Sequence, residues 1–178
     1  MTSKKKITIL GGGNLGAAVA EGLLKSGFTQ PADLIVTRRN LDRLIYLKDK
    51  GVTTISDNEV AIKAGEIIIV ALKPYNVKEV LEGLKSSFDP ARHIVISVVT
   101  GVSMMDLSAI VGSKIPLFRA MPNTAIAIQE SVTCMCSQHS SNEQVNYVTE
   151  LFNQLGTTIP IDEKLIDART KEEFNKYI

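Results

Sequence analysis

The sequence predicts an α/β fold, a Rossmann-like and mostly parallel sheet with helices on both faces. Three observations carry that reading. From residue 6 to residue 120, short β-branched runs alternate with segments of helical periodicity, which is the signature of a sheet wound through βαβ units. The strand candidates are apolar at successive positions, as strands covered on both faces require. The first of them runs directly into Gly11-Gly12-Gly13-Asn14-Leu15-Gly16, a glycine-rich turn that opens a helix.

Strands are predicted over 7–10, 34–37, 53–55, 67–72, 94–98 and 116–119. The fourth is the longest clear apolar run of the chain, far short of the ~20 residues a membrane span needs. Between them, helices are predicted over 14–26, 41–50, 58–64, 77–86 and 103–111. Val77, Val80, Leu81 and Leu84 recur at i, i+3, i+4 and i+7, one apolar stripe for packing on a sheet. Ser103 reads as an N-cap, with Asp106 in the first turn, where a carboxylate favours the helix dipole.

After Pro122 further strands are predicted over 125–128 and 132–136. Ser140-Ser141-Asn142-Glu143 then reads as a capping box, opening a helix with Val145, Val148, Leu151, Phe152 and Leu155 inward and Gly156 as its stop. A last strand is predicted over 157–161. Residues 1–161 form the predicted dinucleotide-binding domain, and the polar segment 162–178 reads as the first turns of a second, helical unit.

The chain has 178 residues, the allowance of one domain and a small remainder. Lys and Arg total 20 against 19 Asp and Glu, which argues against a basic nucleic-acid footprint and leaves any anion site local. Cys134 and Cys136 lack metal or redox spacing and read as reduced core thiols of a cytoplasmic protein. Lys4-Lys5-Lys6 before an apolar stretch resembles a secretory leader, but the glycines inside that stretch have a better explanation.

That explanation is a phosphate cradle. Gly11 permits the tight turn, Gly13 leaves no Cβ between backbone and pyrophosphate, and Gly16 lets helix and strand approach. The free N–H groups at Asn14 and Leu15 begin the helix and face an anion. At the end of the second strand an NAD-binding protein of this type carries an Asp or Glu for the ribose. Here Thr37-Arg38-Arg39-Asn40 stands instead, and two guanidiniums with a hydroxyl suit a ribose 2′-phosphate. NADP(H) is therefore expected in preference to NAD(H), with Arg39 the stronger candidate. The bland alternative for either arginine alone is a solvated surface charge.

Lys73 and Pro74 follow the fourth strand, and the stretch from Ser97 to Gly101 follows the fifth. Both stand where an open α/β sheet places its ligand, although a strand-terminating loop explains each as well. Met121-Pro122-Asn123 after the sixth strand offers a rigid turn with an amide for a nicotinamide or substrate, or a turn that only bonds its own backbone. No catalytic residue is assigned, because no Ser/His/Asp, Cys/His or paired-carboxylate arrangement can be placed. His93 and His139 read as structural or exposed. Hydride chemistry asks for no such group, since the cofactor carries it. No metal is expected.

These residues resemble the pyrroline-5-carboxylate reductase family. The pieces that carry the resemblance are Ile9 to Gly16, Val36-Thr37-Arg38-Arg39, Ala71-Leu72-Lys73-Pro74, Ile96-Ser97 with Gly101-Val102, and above all Arg119-Ala120-Met121-Pro122-Asn123-Thr124. The resemblance runs from Lys6 to about Thr170. It implies an NADPH-dependent reduction of the C=N bond of 1-pyrroline-5-carboxylate to L-proline, with no nucleic-acid or membrane partner. It also implies cofactor contacts from Thr37, Arg39 and Asn58, from Ala71, Lys73 and Pro74 at the nicotinamide ribose, and from Ser97, Thr100 and Asn123 around the nicotinamide.

The chain departs from the family pattern at Thr100, Ala125 and Ser131, where Ala, Pro and Gly are usual. It departs further where a Ser/Gly-rich helix should follow Thr170 and Lys171-Glu172-Glu173-Phe174 stands instead. In the family that helical domain forms the homodimer and completes the active site, so this chain is expected to bind cofactor and turn over poorly. The alternatives are a non-catalytic NADP(H)-binding or regulatory module, and a related two-domain dehydrogenase acting on a hydroxy acid or a deazaflavin.

Overall fold

The computed structural model describes residues 5–166. Within them, β1 (Ile7–Leu10), β2 (Leu34–Thr37), β3 (Thr53–Ile55), β4 (Ile67–Val70), β5 (Ile94–Ser97), β6 (Leu117–Met121), β7 (Ser131–Gln138) and β8 (Gly156–Pro160) join in one sheet. Their order is β3-β2-β1-β4-β5-β6-β7-β8. Every neighbouring pair is parallel except β6 and β7. That reversal follows from the connection, because residues 122–130 are too few for the helical crossover that a parallel return requires.

The helices are α1 (Asn14–Lys25), α2 (Ile45–Asp49), α3 (Asn58–Ala64), α4 (Pro74–Glu82), α5 (Met104–Val111) and α6 (Asn142–Asn153). The two-residue period of a strand sends its side chains into two cores. Ile7, Ile9, Ile67 and Ile69 meet Leu23 of α1, Leu47 of α2 and Phe152 of α6 on one face. Leu10, Ile68 and Val70 meet Ile62 of α3, Leu81 of α4 and Leu107 of α5 on the other. Fully buried strands of this kind are why the sequence shows continuous apolar runs rather than alternation.

Four expectations need correction. Residues 125–128 are not a strand: Thr124–Ile128 is a 3-10 turn capped by the Asn123 side chain and ended by Gln129 at φ 64°. A short apolar run does not distinguish the two by periodicity, and here the local cap decides. Helix α4 begins at Pro74 rather than at Val77, since proline is well placed in a first helical turn. The cap of α6 is Ser141 with Gln144, not the Ser140 register. Gly156 lies in β8 at φ 141°, where a side chain would drive into Ser131, so it serves strand pairing rather than helix termination. The capping box of Ser103 and Asp106 forms as expected. Expectations that fall on residues 1–4 and 167–178 lie outside the described residues.

His93, at the start of β5, is structural. It is 2% exposed, and its Nδ1 accepts from the Asp89 N–H at 2.9 Å, which leaves the ring proton on Nε2. Burial, with the positive charge of Arg92 adding to it and Asp89 opposing, pushes its pKa below the ordinary histidine value. The unfolded chain therefore takes up this proton first as the pH falls. Folding stability is expected to decline below pH about 6.5. In His93→Asn, which keeps an acceptor for Asp89, that part of the pH dependence should vanish; urea unfolding from pH 7.5 to 5 measures it, and equal slopes for both proteins would exclude the assignment.

Candidate dinucleotide-binding site

The site begins where β1 stops between β2 and β4, the point at which the strand order reverses direction. Gly11 turns the chain at φ 103°, a conformation that side chains resist, and a Cβ there would lie 2.6 Å from the Ala71 carbonyl oxygen. The Ala71 N–H donates to Leu10 O at 2.8 Å, so the chain leaving β4 lies against the turn leaving β1. A Cβ on Gly16 would collide with the Gly11 carbonyl. Gly12 is enclosed as well: its Cβ would meet Val36 at 2.8 Å and Leu44 at 2.9 Å. Gly13 alone faces open space, with nothing within 4 Å of a Cβ.

Gly13 is the N-cap of α1 and offers no side chain to it, and no acidic residue stands in the first turn. The leading N–H groups are thus left for an outside acceptor, and the positive end of the helix dipole lies behind them. Asn14 is exposed and Leu15 half-buried. Three glycines are crowded by backbone and core, and one, at the start of α1, opens outward.

The end of β2 divides its labour. Thr37 is 2% exposed, and its hydroxyl accepts from the Gly11 N–H at 3.2 Å. Its carbonyl accepts from the Gly12 N–H at 2.6 Å. The Arg38 guanidinium donates from Nη1 to the Gly12 carbonyl at 2.5 Å and is partly buried, whereas Arg39 is exposed. Of the residues expected to serve a ribose phosphate, Arg39 is therefore the one whose head is in solvent.

Asn58 opens α3, half-buried, behind an Asp57 cap. Lys73 and Pro74 begin α4, both exposed. Ser97 is fully buried, and its Oγ accepts from the Val99 N–H at 3.3 Å, while Thr100 is exposed. Met121 is 7% exposed at the end of β6. Asn14, Leu15, Ala18, Pro122, Asn123 and Ile126 line a cleft of about 340 Å³. The helix start and the Met121-Pro122-Asn123 loop, distant in sequence, thus share one cavity.

Asn123 is held within that loop. Its Oδ1 accepts from the Ala125 N–H at 3.1 Å, and its own N–H donates to Ser131 Oγ at 3.2 Å. A proline at 125 has no N–H to give and a glycine at 131 no hydroxyl, so both departures from the family pattern supply bonds that brace the loop. Among the described residues, the Nδ2 of Asn123 has no partner.

Two features escaped sequence reasoning. Gly12 matters through side chains of β2 and of residue 44, which no local pattern announces. Arg119, 3% exposed, lies 3.7 Å from Glu163 Oε1, and the same oxygen accepts from the Met104 N–H at 2.7 Å. Burial, followed by the charge of Glu163, pushes the nearby Cys136 thiol up to about 11, which keeps it protonated.

Gly16→Ala is expected to lower folding stability by about 1–3 kcal/mol through overpacking. Gly13→Ala, in open space at an ordinary φ of −77°, should leave stability unchanged or slightly raised. Denaturant unfolding of the two variants checks this contrast, and equal losses would exclude an open face at Gly13.

Comparison with known proteins agrees with this geometry. Residues 6–101 match the family described as NADP oxidoreductase, coenzyme F420-dependent. Pyrroline-5-carboxylate reductase 2 of Dictyostelium discoideum is 34% identical over 92% of this chain and 60% of its own length. The structure of a pyrroline-5-carboxylate reductase from Coxiella burnetii superposes with a TM-score of 0.89 at 29% identity, over 94% of this chain and 63% of that one. The Plasmodium falciparum pyrroline carboxylate reductase, solved with NADP bound, gives a TM-score of 0.84 at 26% identity over 93% and 61%. The chain spans about three fifths of the length of each of these relatives. On the family match over residues 6–101 and on these relatives, the chain belongs to the pyrroline-5-carboxylate reductase family of NADP oxidoreductases.

Proposed function

We propose that this chain is the NADP(H)-binding unit of a reductase acting on the C=N bond of 1-pyrroline-5-carboxylate to give L-proline. The observation that carries the reading is the cleft in which Asn14 and Leu15, at the start of α1 that no side chain caps, face Pro122 and Asn123. The names of the relatives supply the substrate. Bound NADPH supplies the hydride.

The residues of the chain bind and orient. The N–H groups that follow Gly13 hold the pyrophosphate, and the crowded glycines keep the loop in the shape that presents them. Arg39 takes the ribose 2′-phosphate, in a bidentate geometry that guanidinium favours. Asn58 would serve the adenine ribose, and Ala71, Lys73 and Pro74 the nicotinamide ribose. Ser97, Thr100 and the Nδ2 of Asn123 would serve the nicotinamide, with Met121 and Pro122 on the substrate side. Tyr75, Met105 and Ile128 are exposed apolar side chains in segments that leave the carboxyl ends of β4, β5 and β6, the rim where a further domain would close over the site. Hydride delivery needs the imine held at attack geometry beside the cofactor.

Calorimetric titration tests the reading. NADPH is expected to bind more tightly than NADH, and Arg39→Ala should cut that gap by about tenfold, the loss of one charge-assisted phosphate contact. Equal affinities in the wild-type chain would sink the 2′-phosphate assignment, and binding of neither dinucleotide would overturn the function. Residual NADPH oxidation is expected with the cyclic imine and not with an open-chain 2-oxo acid; the reverse preference would reassign the substrate.

A further inference from the structure

Arg38 and Arg39 are adjacent in sequence and alike in charge, yet the fold puts them to different uses. Side chains alternate along β2, so Arg38 continues the row of Val36, the residue that closes on Gly12. On that face it meets the glycine-rich turn, and its Nη1 is bonded to the Gly12 carbonyl. Its backbone N–H donates to Ile55 O of β3 at 3.1 Å, which pins the residue at its root. Tyr46 of α2 is near enough to sense the charge of Arg38: burial, then the hydrogen bond and charge of Glu21, push the Tyr46 hydroxyl up to about 12, with Arg38 acting in the opposite direction. Arg38 is thus partly buried and bonded to the turn and to β3, while Arg39 is exposed.

A carbonyl oxygen in a phosphate-binding turn is a hazard, because turned toward the anion it repels what the neighbouring N–H groups attract. The turn meets that hazard by tying three of the four backbone polar groups of Gly11 and Gly12 to the end of β2 and the residue that follows it. Gly11 N–H goes to the Thr37 hydroxyl, Gly12 N–H to the Thr37 carbonyl, and Gly12 C=O to Arg38. The N–H groups that follow Gly13 are left for a ligand.

We infer that Arg38 is a positioning residue of the dinucleotide site, holding the Gly12 carbonyl away from the pyrophosphate, and that it does not read the 2′-phosphate. The inference rests on the proposed dinucleotide function. It assigns general affinity to Arg38 and selectivity between NADP(H) and NAD(H) to Arg39.

The test titrates NADPH and NADH into the wild-type chain, Arg38→Gln, Arg38→Lys and Arg39→Gln, with unfolding midpoints measured in parallel. Arg38→Gln should weaken both dinucleotides by the same factor, on the order of tenfold, for a lost charged hydrogen bond. The NADPH/NADH ratio should stay within about twofold of wild type. Arg38→Lys, whose ammonium can still donate to the Gly12 carbonyl, should recover part of both affinities. Arg39→Gln should collapse the ratio and leave NADH binding unchanged.

If Arg38→Gln collapses the ratio as Arg39→Gln does, Arg38 is a phosphate ligand and the inference is overturned. A lowered unfolding midpoint with both affinities intact would overturn it too, by showing a purely structural brace. Binding of neither dinucleotide by the wild-type chain would instead remove the proposed function and this inference with it.

Discussion

One close approach governs the molecule, the packing of backbone on backbone where β1, α1 and the end of β4 meet. The Gly11 carbonyl occupies the place of a Gly16 side chain, the Ala71 carbonyl that of a Gly11 side chain, and core side chains of β2 and residue 44 that of a Gly12 side chain. A Cβ at Gly11 or Gly16 fits only if backbone moves, and one at Gly12 only if the Val36 and Leu44 side chains give way. The same contact that seats the first helix on the first strand therefore also shapes the anion cradle, and the site is not an addition to the fold but its tightest point. Parallel strands diverge to either side of it, toward β2 and toward β4, which opens the crevice that a dinucleotide would span.

Around that point, polar side chains serve the loops before they serve any ligand. The Thr37 hydroxyl holds Gly11, Ser97 holds Val99, Ser131 holds Asn123, and Asn123 holds Ala125. Each bond satisfies a backbone donor that would otherwise be left in a half-dry crevice, where an unmade bond costs about 1–3 kcal/mol. Loops held in this way present the remaining groups from fixed positions, which preorganises a binding site. Farther along the sheet, Glu163 meets a buried guanidinium and a helix-leading N–H with one oxygen, joining the segment after β8 to β6 and α5. A buried arginine without such a carboxylate would be costly to fold.

The architecture was readable from the sequence because its signals are local. Doubly buried strands appear as unbroken apolar runs such as Ile67 to Val70, and the Ser103 and Asp106 pair announces the start of α5. The glycine spacing marks the cradle. Reading failed where a local pattern admits two outcomes. Ala125 to Ile128 is as apolar as a short strand, and only the Asn123 cap and the turn at Gln129 make it a 3-10 segment. The start of α6 offers two adjacent serines, and the one that caps is the one with Gln144 three residues on.

The sequence by itself determined the order of the parallel strands and their helices, the doubly covered sheet, the position of the glycine-rich turn and the family. All of these follow from periodicity, punctuation by Gly and Pro, and short motifs. Only the tertiary structure decided which polar groups face a ligand and which face the protein. Thr37 and Arg38 reach a turn 26 residues away, and Glu163 reaches a strand and a helix laid down far earlier in the chain. Whether a donor ends in solvent or on a distant carbonyl is a property of the packed sheet, because the competing acceptor comes into range only when remote segments are brought side by side.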